Sequence, residues 1–320
     1  MTSSGHTRDP HTAATVLDGF ATGRAVVGCA AGSRGWCAAC AGVLEATAPK
    51  PGNVHPAASF PDLGYADLVA AALAIAPVID RAATRPVGRT VLDAVQAARA
   101  AAGTNANLGI VLVTAPLAAV GDGEPLTPAA VERVLAGLDA ADAADIYRAI
   151  AIARPGGMGT AGRWDVAGPP PPDIRAAMRL AADRDEIARL WAFGYEPLFA
   201  GPVADLAAAA AAGGPLLDAI VHAHLAQLAR CPDSLIARRH GAAVAAEVSA
   251  RAGAVLALPA ADRPAATAAF DRSLREPRRQ NPGTTADLIA GALYILLRDG
   301  RLPTMCGVGP TPFPLPGGPP

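Results

Sequence analysis

A single lysine and four asparagines fall in three short glycine-bearing segments, while the rest of the chain runs to alanine, arginine, glycine and proline. Lys50, Gly52, Asn53 and His55 belong to Pro49-Lys-Pro-Gly-Asn-Val-His-Pro56. Asn105 and Asn107 belong to Gly103-Thr-Asn-Ala-Asn-Leu-Gly109, and Asn281, Gly283 and Asp287 to Asn281-Pro-Gly-Thr-Thr-Ala-Asp287. Every other residue among the 27 basic ones is arginine, so rare types survive at these three places. A lysine ammonium is a compact point charge, whereas a guanidinium is a planar fork. Held in a loop stiffened by prolines, with glycine allowing close backbone approach, Lys50 suits an anionic oxygen such as a phosphate. The plain alternative is a lysine facing water and the dipole at a helix end. The other two segments each precede an apolar helix. Free N–H groups at a helix start attract anions, and amide side chains there can read a base edge or a ribose hydroxyl. Simple asparagine capping remains open for the second segment. The third resembles a phosphate cradle in kind without matching a known nucleotide fingerprint, and Asp287 in a first turn also favours the helix dipole.

Carboxylates supply the remaining candidates. Asp142 and Asp145 share a helix face close to Tyr147, and Asp183-Arg184-Asp185-Glu186 places four charges in an alanine-lined stretch. Magnesium takes oxygen ligands and leaves room for substrate phosphates, so Asp142, Asp145, Asp183 and Asp185 are candidate ligands. Solvated faces or intrahelical ion pairs would explain the same spacing. His222 and His224 stand two apart and so point to different helix faces. Cys37 and Cys40 form a C-x-x-C without a second pair, which reads as helix packing. Arg238-Arg239-His240 could form a basic wall or a surface.

The elements that must hold these groups read as helices. Of 320 residues, 52% are hydrophobic but largely alanine, and only 4% are aromatic. Such a core favours closely packed helices over sheets. The expected fold is all-α, a single multi-helix domain over residues 35–302. A loosely ordered arm over 1–34 precedes it, and a Pro/Gly-rich flexible tail over 303–320 follows. Apolar spacing predicts a helix over 67–83, and Thr127-Pro128 opens another. Asp173 caps one expected to run through Trp191, and further helices are expected over 216–230 and 234–258. Thr284 or Thr285 is expected to cap the last. A net charge of −1 gives no nucleic-acid footprint. No apolar run is long enough for a membrane span, and a secretory leader is not expected, so a cytoplasmic protein is.

With these segments in view, the chain resembles the triphosphoribosyl-dephospho-CoA synthase family. Members carry a Pro-Lys-Pro-Gly loop, matched at Pro49 to Gly52, and a Gly-x-Asn segment before an apolar helix, matched at Gly103, Asn105 and Gly109. Their C-terminal Pro-Gly-x-x-Ala-Asp-Leu is matched at Pro282, Gly283, Ala286, Asp287 and Leu288. The resemblance implies an all-helical enzyme that takes ATP, with Mg2+, and 3′-dephospho-CoA. It breaks the adenine–ribose bond and moves the 5-triphosphoribosyl unit to a ribose hydroxyl. On that reading Lys50 with magnesium holds the triphosphate, and Gly52, Asn53, His55, Asn105, Asn107, Arg184, Asn281 and Gly283 complete the nucleotide site. Asp145, Asp185 and Asp287 act at the sugar. Where members carry Thr-His-Lys after the asparagine, this chain has Ala106-Asn107-Leu108, which leaves a related acceptor alcohol open, including one in the biosynthesis of a pterin-type one-carbon cofactor. A magnesium-dependent hydrolase of an N-glycosidic or ADP-ribosyl bond, and a non-catalytic helical scaffold, are the other readings.

Overall fold

The computed structural model describes residues 28–157 and 162–302. The expected arm is therefore outside the described residues up to position 27, and the expected tail lies wholly outside them. The molecule is all-α: the described residues contain helices and two isolated bridges, His55 with Ala58 and Phe60 with Leu63, but no strand.

Three apolar helices form the centre. These are α1 (Arg34–Thr47), buried along its whole length, α4 (Leu108–Ala119) and α14 (Gly283–Arg298). Around them pack α2 (Tyr65–Ile79), α3 (Val87–Ala102), α5 (Pro128–Ala136) and α6 (Ala140–Ala153). Next come α7 (Ile174–Ala181), α8 (Glu186–Phe193) and α9 (Ala204–Ala211). The outer layer of α10 (Leu216–Arg230), α11 (Ser234–His240), α12 (Ala242–Ala257) and α13 (Arg263–Arg275) encloses a smaller core of its own around Leu228, Ile236, Phe270 and Leu274.

Local chemistry fixes the central helices. Pro116 inside α4 has no N–H, so the carbonyl four residues earlier, at Leu112, is left without its intrahelical partner. The buried Trp191 indole fills that vacancy, its Nε1 donating to Leu112 O at 3.0 Å, and Tyr195 Oη donates to Val113 O at 3.1 Å. Buried Arg34 does the same for the far end of α4, donating through Nε to Ala118 O at 2.9 Å and through Nη2 to Val120 O at 2.8 Å. Cys37 and Cys40 are both buried on α1 as packing residues.

Several boundaries match expectation and several do not. Thr127 caps α5 with Pro128 behind it, Asp173 caps α7, and α10 spans the residues expected of it. The helix expected through Trp191 breaks, because Asp185 turns its side chain onto Ala188 N at 3.0 Å and starts α8 afresh. The charge run 183–186 therefore sits in an interhelix turn. The helix expected over 234–258 divides at Gly241, whose φ of 96° no helical residue adopts. The helix expected over 67–83 ends at Ile79, followed by a short 3-10 turn over Ala82–Thr84.

Candidate active site

A cleft of about 1050 Å³ opens between the starts of α4 and α14, the end of α6, the segment 162–167, and helices α7 and α11. Its wall includes Asn105, Arg184, Asp185, Asn281, Gly283 and Asp287, so candidates from the second and third segments meet there. Lys50, Gly52, Asn53, His55, Asn107, Asp142, Asp145 and Asp183 are not among its lining residues.

Asp287 occupies the centre of this arrangement. It sits in the second turn of α14, and its carboxyl makes no hydrogen bond or ion pair with a described residue. Burial pushes that carboxyl well above the usual carboxylate range, helped by Glu45, Asp233 and Asp185 and opposed by Arg238. Room for it comes from Gly109. A Cβ at that position would lie 1.9 Å from Asp287 Oδ2 and 2.3 Å from Cγ. The glycine that closes the second segment is thus the seat of the acid that closes the third.

The start of α14 is occupied from within the protein. Asp233 is fully buried and accepts from Thr285 N at 2.7 Å, Thr285 Oγ1 at 2.8 Å and Ile236 N at 2.9 Å. Ser234 Oγ donates to Thr284 Oγ1 at 2.9 Å, and Gly283 N donates to Asn281 O at 2.8 Å. These bonds correct two expectations: neither threonine caps the helix, and this helix start is not an open phosphate cradle. Asp233 was the missed residue. Its signal was the Cys231-Pro-Asp-Ser234 turn, a capping sequence for α11 that serves α14 as well.

Positive charge in the cleft comes from arginine. Arg154, Arg163, Arg184, Arg238, Arg239 and Arg279 line it. Arg238 is anchored on Asp185, and Arg279 on Asp62 at 2.5 Å with its guanidinium 4.0 Å from the Phe60 ring centroid. Even so, Nε of Arg238 and Nε of Arg279 are buried without a protein partner. Arg154 and Arg279 both take left-handed backbone, φ 48° each, which is uncommon outside glycine. The facing wall is apolar, formed by Ile174, Ala177, Met178 and Leu180 of α7. Tyr147 Oη donates to Trp164 O at 2.7 Å and fixes the rim between the two walls.

A half-buried acid facing grouped arginines suits an anionic sugar nucleotide, and comparison with known proteins agrees. The model of the ATP:dephospho-CoA triphosphoribosyl transferase family matches residues 32–303. The chain belongs to that family. This transferase also shares its fold with a solved structure from Archaeoglobus fulgidus provisionally assigned as a triphosphoribosyl-dephospho-CoA synthase. The two are 23% identical with a TM-score of 0.57, and the match covers 72% of this chain and 99% of that one. No curated protein matches the chain.

In this member of the family, the lysine segment lies behind the cleft. Lys50 is fully buried and its Nζ pairs with Glu45 Oε1 at 2.9 Å, with further bonds to Glu45 O and, at 3.3 Å, to Ala48 O. The expectation that Lys50 grips a polyphosphate is corrected: its three N–H groups are spent on α1. Asn53 Nδ2 donates to Asn281 Oδ1 at 2.7 Å, and Gly52 N donates to Asp271 Oδ1 at 2.8 Å. The segment therefore buttresses the 281–283 turn. His55 remains outside the cleft, its Nδ1 accepting from Ala57 N at 3.3 Å, and Asn107 is buried at the head of α4 with no capping bond from its side chain. Removing one partner of a buried ion pair costs about 3–5 kcal/mol, whereas apolar replacement of both is often neutral. Lys50→Met should accordingly lower the unfolding free energy obtained from urea titration by that much, and Glu45→Leu/Lys50→Met should recover most of it.

The expected magnesium ligands do not come together. Asp142 is buried in a capping box, accepting from Gly88 N at 2.7 Å and from Asp139 N at 3.1 Å. Asp145 pairs with Arg148 at 3.4 Å, and Asp183 is exposed in the α7–α8 turn. Both oxygens of Asp185 are engaged, one with Ala188 N and one with Arg238, so Asp185 orients an arginine and is not free to act as a base. Among the described residues no group of three or more His, Cys, Asp or Glu side chains could hold a metal ion. No helix among them is long and apolar enough to cross a membrane.

Proposed function

We propose that the cleft takes ATP and 3′-dephospho-CoA and transfers the 5-triphosphoribosyl unit to a ribose hydroxyl of the acceptor, with release of adenine. The observation that carries this reading is the unpaired Asp287 carboxyl set among arginines in a member of this family. Arg238, Arg239 and Arg279 hold the triphosphate, the role first expected of Lys50. Arginine suits it because its fork pairs with phosphate oxygens two at a time. Magnesium travels on the phosphates, not in a protein cage. Asn105 and Asn281 present amides to the nucleotide.

The C1′–N9 bond of ATP breaks, and adenine leaves with the electron pair. A carboxyl kept protonated by its surroundings can supply the proton that makes adenine a good leaving group, and Asp287 fills that role. The acceptor oxygen bonds to C1′ and gives its hydroxyl proton to the Asp287 carboxylate left by the departure of adenine, so the proton count balances and the acid is restored. The apolar α7 wall shields the reacting carbon from water and accommodates the less polar arm of the acceptor.

Products from ATP should be separated chromatographically with and without dephospho-CoA. Acceptor-dependent adenine and an adduct heavier by one triphosphoribosyl unit are the expected outcome. Adenine without acceptor would identify a hydrolase, and ADP or AMP alone would identify phosphoryl or adenylyl chemistry. If dephospho-CoA stays unmodified while another alcohol, such as a pterin-type precursor, gains the unit, the acceptor differs and the donor half of the reading stands.

A further inference from the structure

We infer that Asn53 is a positioning residue for the cleft: it holds the Asn281 amide by its oxygen, so that the Asn281 NH2 group alone faces the ligand and donates to a polyphosphate oxygen. This rests on the reading of the cleft as a polyphosphate site and names one of its contacts.

The polarity of the contact is fixed step by step. Asn53 is 5% exposed, and its Nδ2 donates to Asn281 Oδ1 at 2.7 Å and to Pro282 O at 3.4 Å. A carbonyl oxygen only accepts, so Pro282 O settles which end of the Asn53 amide meets the turn. That NH2 group then settles the neighbouring amide, because Asn281 must offer it an oxygen. Gly52 lets the loop come this close. With φ 77° it lies so near the turn that a Cβ would fall 2.8 Å from both Gln280 O and Pro282 Cδ.

What is left of the Asn281 side chain belongs to the cleft. An amide is planar, so anchoring its oxygen aims its nitrogen. Asn281 is half-buried on the cleft wall, and its Nδ2 has no hydrogen-bond partner among the described residues. That nitrogen sits beside Gly283, another wall residue, and would lie 3.7 Å from a Cβ there. An NH2 group only donates, and Arg279 brings a guanidinium to the same wall. The ligand atom that suits both is an acceptor-only, anionic oxygen, as carried by the phosphate chains of ATP and of dephospho-CoA. Stability does not account for the arrangement. Asn53 Oδ1 is buried without a partner, a state that weakens a fold.

Calorimetric binding of inorganic triphosphate, ATP and dephospho-CoA, each with magnesium, tests this. Asn281→Ala should weaken binding about tenfold or more, the usual worth of a hydrogen bond to a charged group. Asn53→Asp offers the Asn281 amide an acceptor, which turns it over and points its oxygen at the ligand. The loss should be at least as large, although residue 53 lies outside the cleft. Added to Asn281→Ala, Asn53→Asp should cost nothing more. A further loss there would show its charge acting on the ligand directly and would overturn the proposal. A second readout is spectroscopic. The side-chain NH2 resonances assigned to Asn281 by their absence in Asn281→Ala should move when ATP or dephospho-CoA is added to wild type, and stay in place in Asn53→Asp. A merely structural Asn53 would leave that response intact. Should Asn53→Asp fail to fold, Asn53→Ala decides: two amide orientations then compete, and binding should weaken about twofold, whereas unchanged affinity overturns the proposal. Losses confined to inorganic triphosphate and ATP put the contact on the donor, and losses confined to dephospho-CoA put it on the acceptor. Wild-type binding with unaffected variants sinks this inference alone. A wild type that binds none of the three sinks the polyphosphate reading and the inference with it.

Discussion

Replacing Asp287 with asparagine should reduce acceptor-dependent adenine release by about 10²–10⁴-fold, the usual worth of a positioned proton donor. KM for ATP should change little, because the arginines that face the phosphates are untouched. Wild-type kcat/KM should hold at lower pH and decline as pH rises through the raised Asp287 pKa, and the variant should lack that limb. A triphosphate whose base departs without needing a proton, such as an N7-methylated purine, should lose far less. Stability should move the other way. A carboxyl whose folded pKa is raised favours the fold below its unfolded pKa, and that contribution is lost as pH rises through the folded value. Near neutral pH, Asp287→Asn should therefore raise the urea midpoint, the pattern of a residue kept for chemistry at some cost to the fold. An unchanged rate would remove Asp287 from the mechanism.

Gly109→Ala should damage the same step without touching any polar group. The added Cβ would fall 1.9 Å from Asp287 Oδ2, so the carboxyl must swing away. A displacement of about 1 Å in a reacting group can cost about 10²-fold, and a loss of that size in kcat is expected. Alanine favours the helix over glycine by up to about 1 kcal/mol, while overpacking costs about 1–3 kcal/mol, so the net effect on unfolding is small beside the loss of rate. Since both substitutions act through one carboxyl, Gly109→Ala/Asp287→Asn should be no slower than Asp287→Asn alone. Additive losses would show that Gly109 acts elsewhere.

The all-helical fold was legible because alanine-rich helices declare their ends with local chemistry. Thr127-Pro128 and Asp173 start helices where their side chains reach free N–H groups. The failures were also local. Asp185 looked like part of a charged helical stripe but starts a helix, and Gly241 splits a stretch whose apolar spacing runs on across it. Asp287 was legible at the site because it lies in a motif. The arginines were not: against an arginine-rich background, Arg154, Arg163 and Arg279 carry no local mark, and only folding gathers them. Lys50 misled for the opposite reason. Its rarity drew attention to it, but a single sequence does not distinguish a cation aimed at a substrate from one paired with a buried glutamate.

The bonds from Asp233 to Thr285 stitch the first turn of α14 to the turn before α11, and hence to the smaller core around Phe270 and Leu274. That outer layer works as a tiller for the helix that carries the acid. Packing lesions such as Phe270→Ala, remote from the cleft, should then surface first as misaimed catalysis, while the larger core keeps the molecule folded.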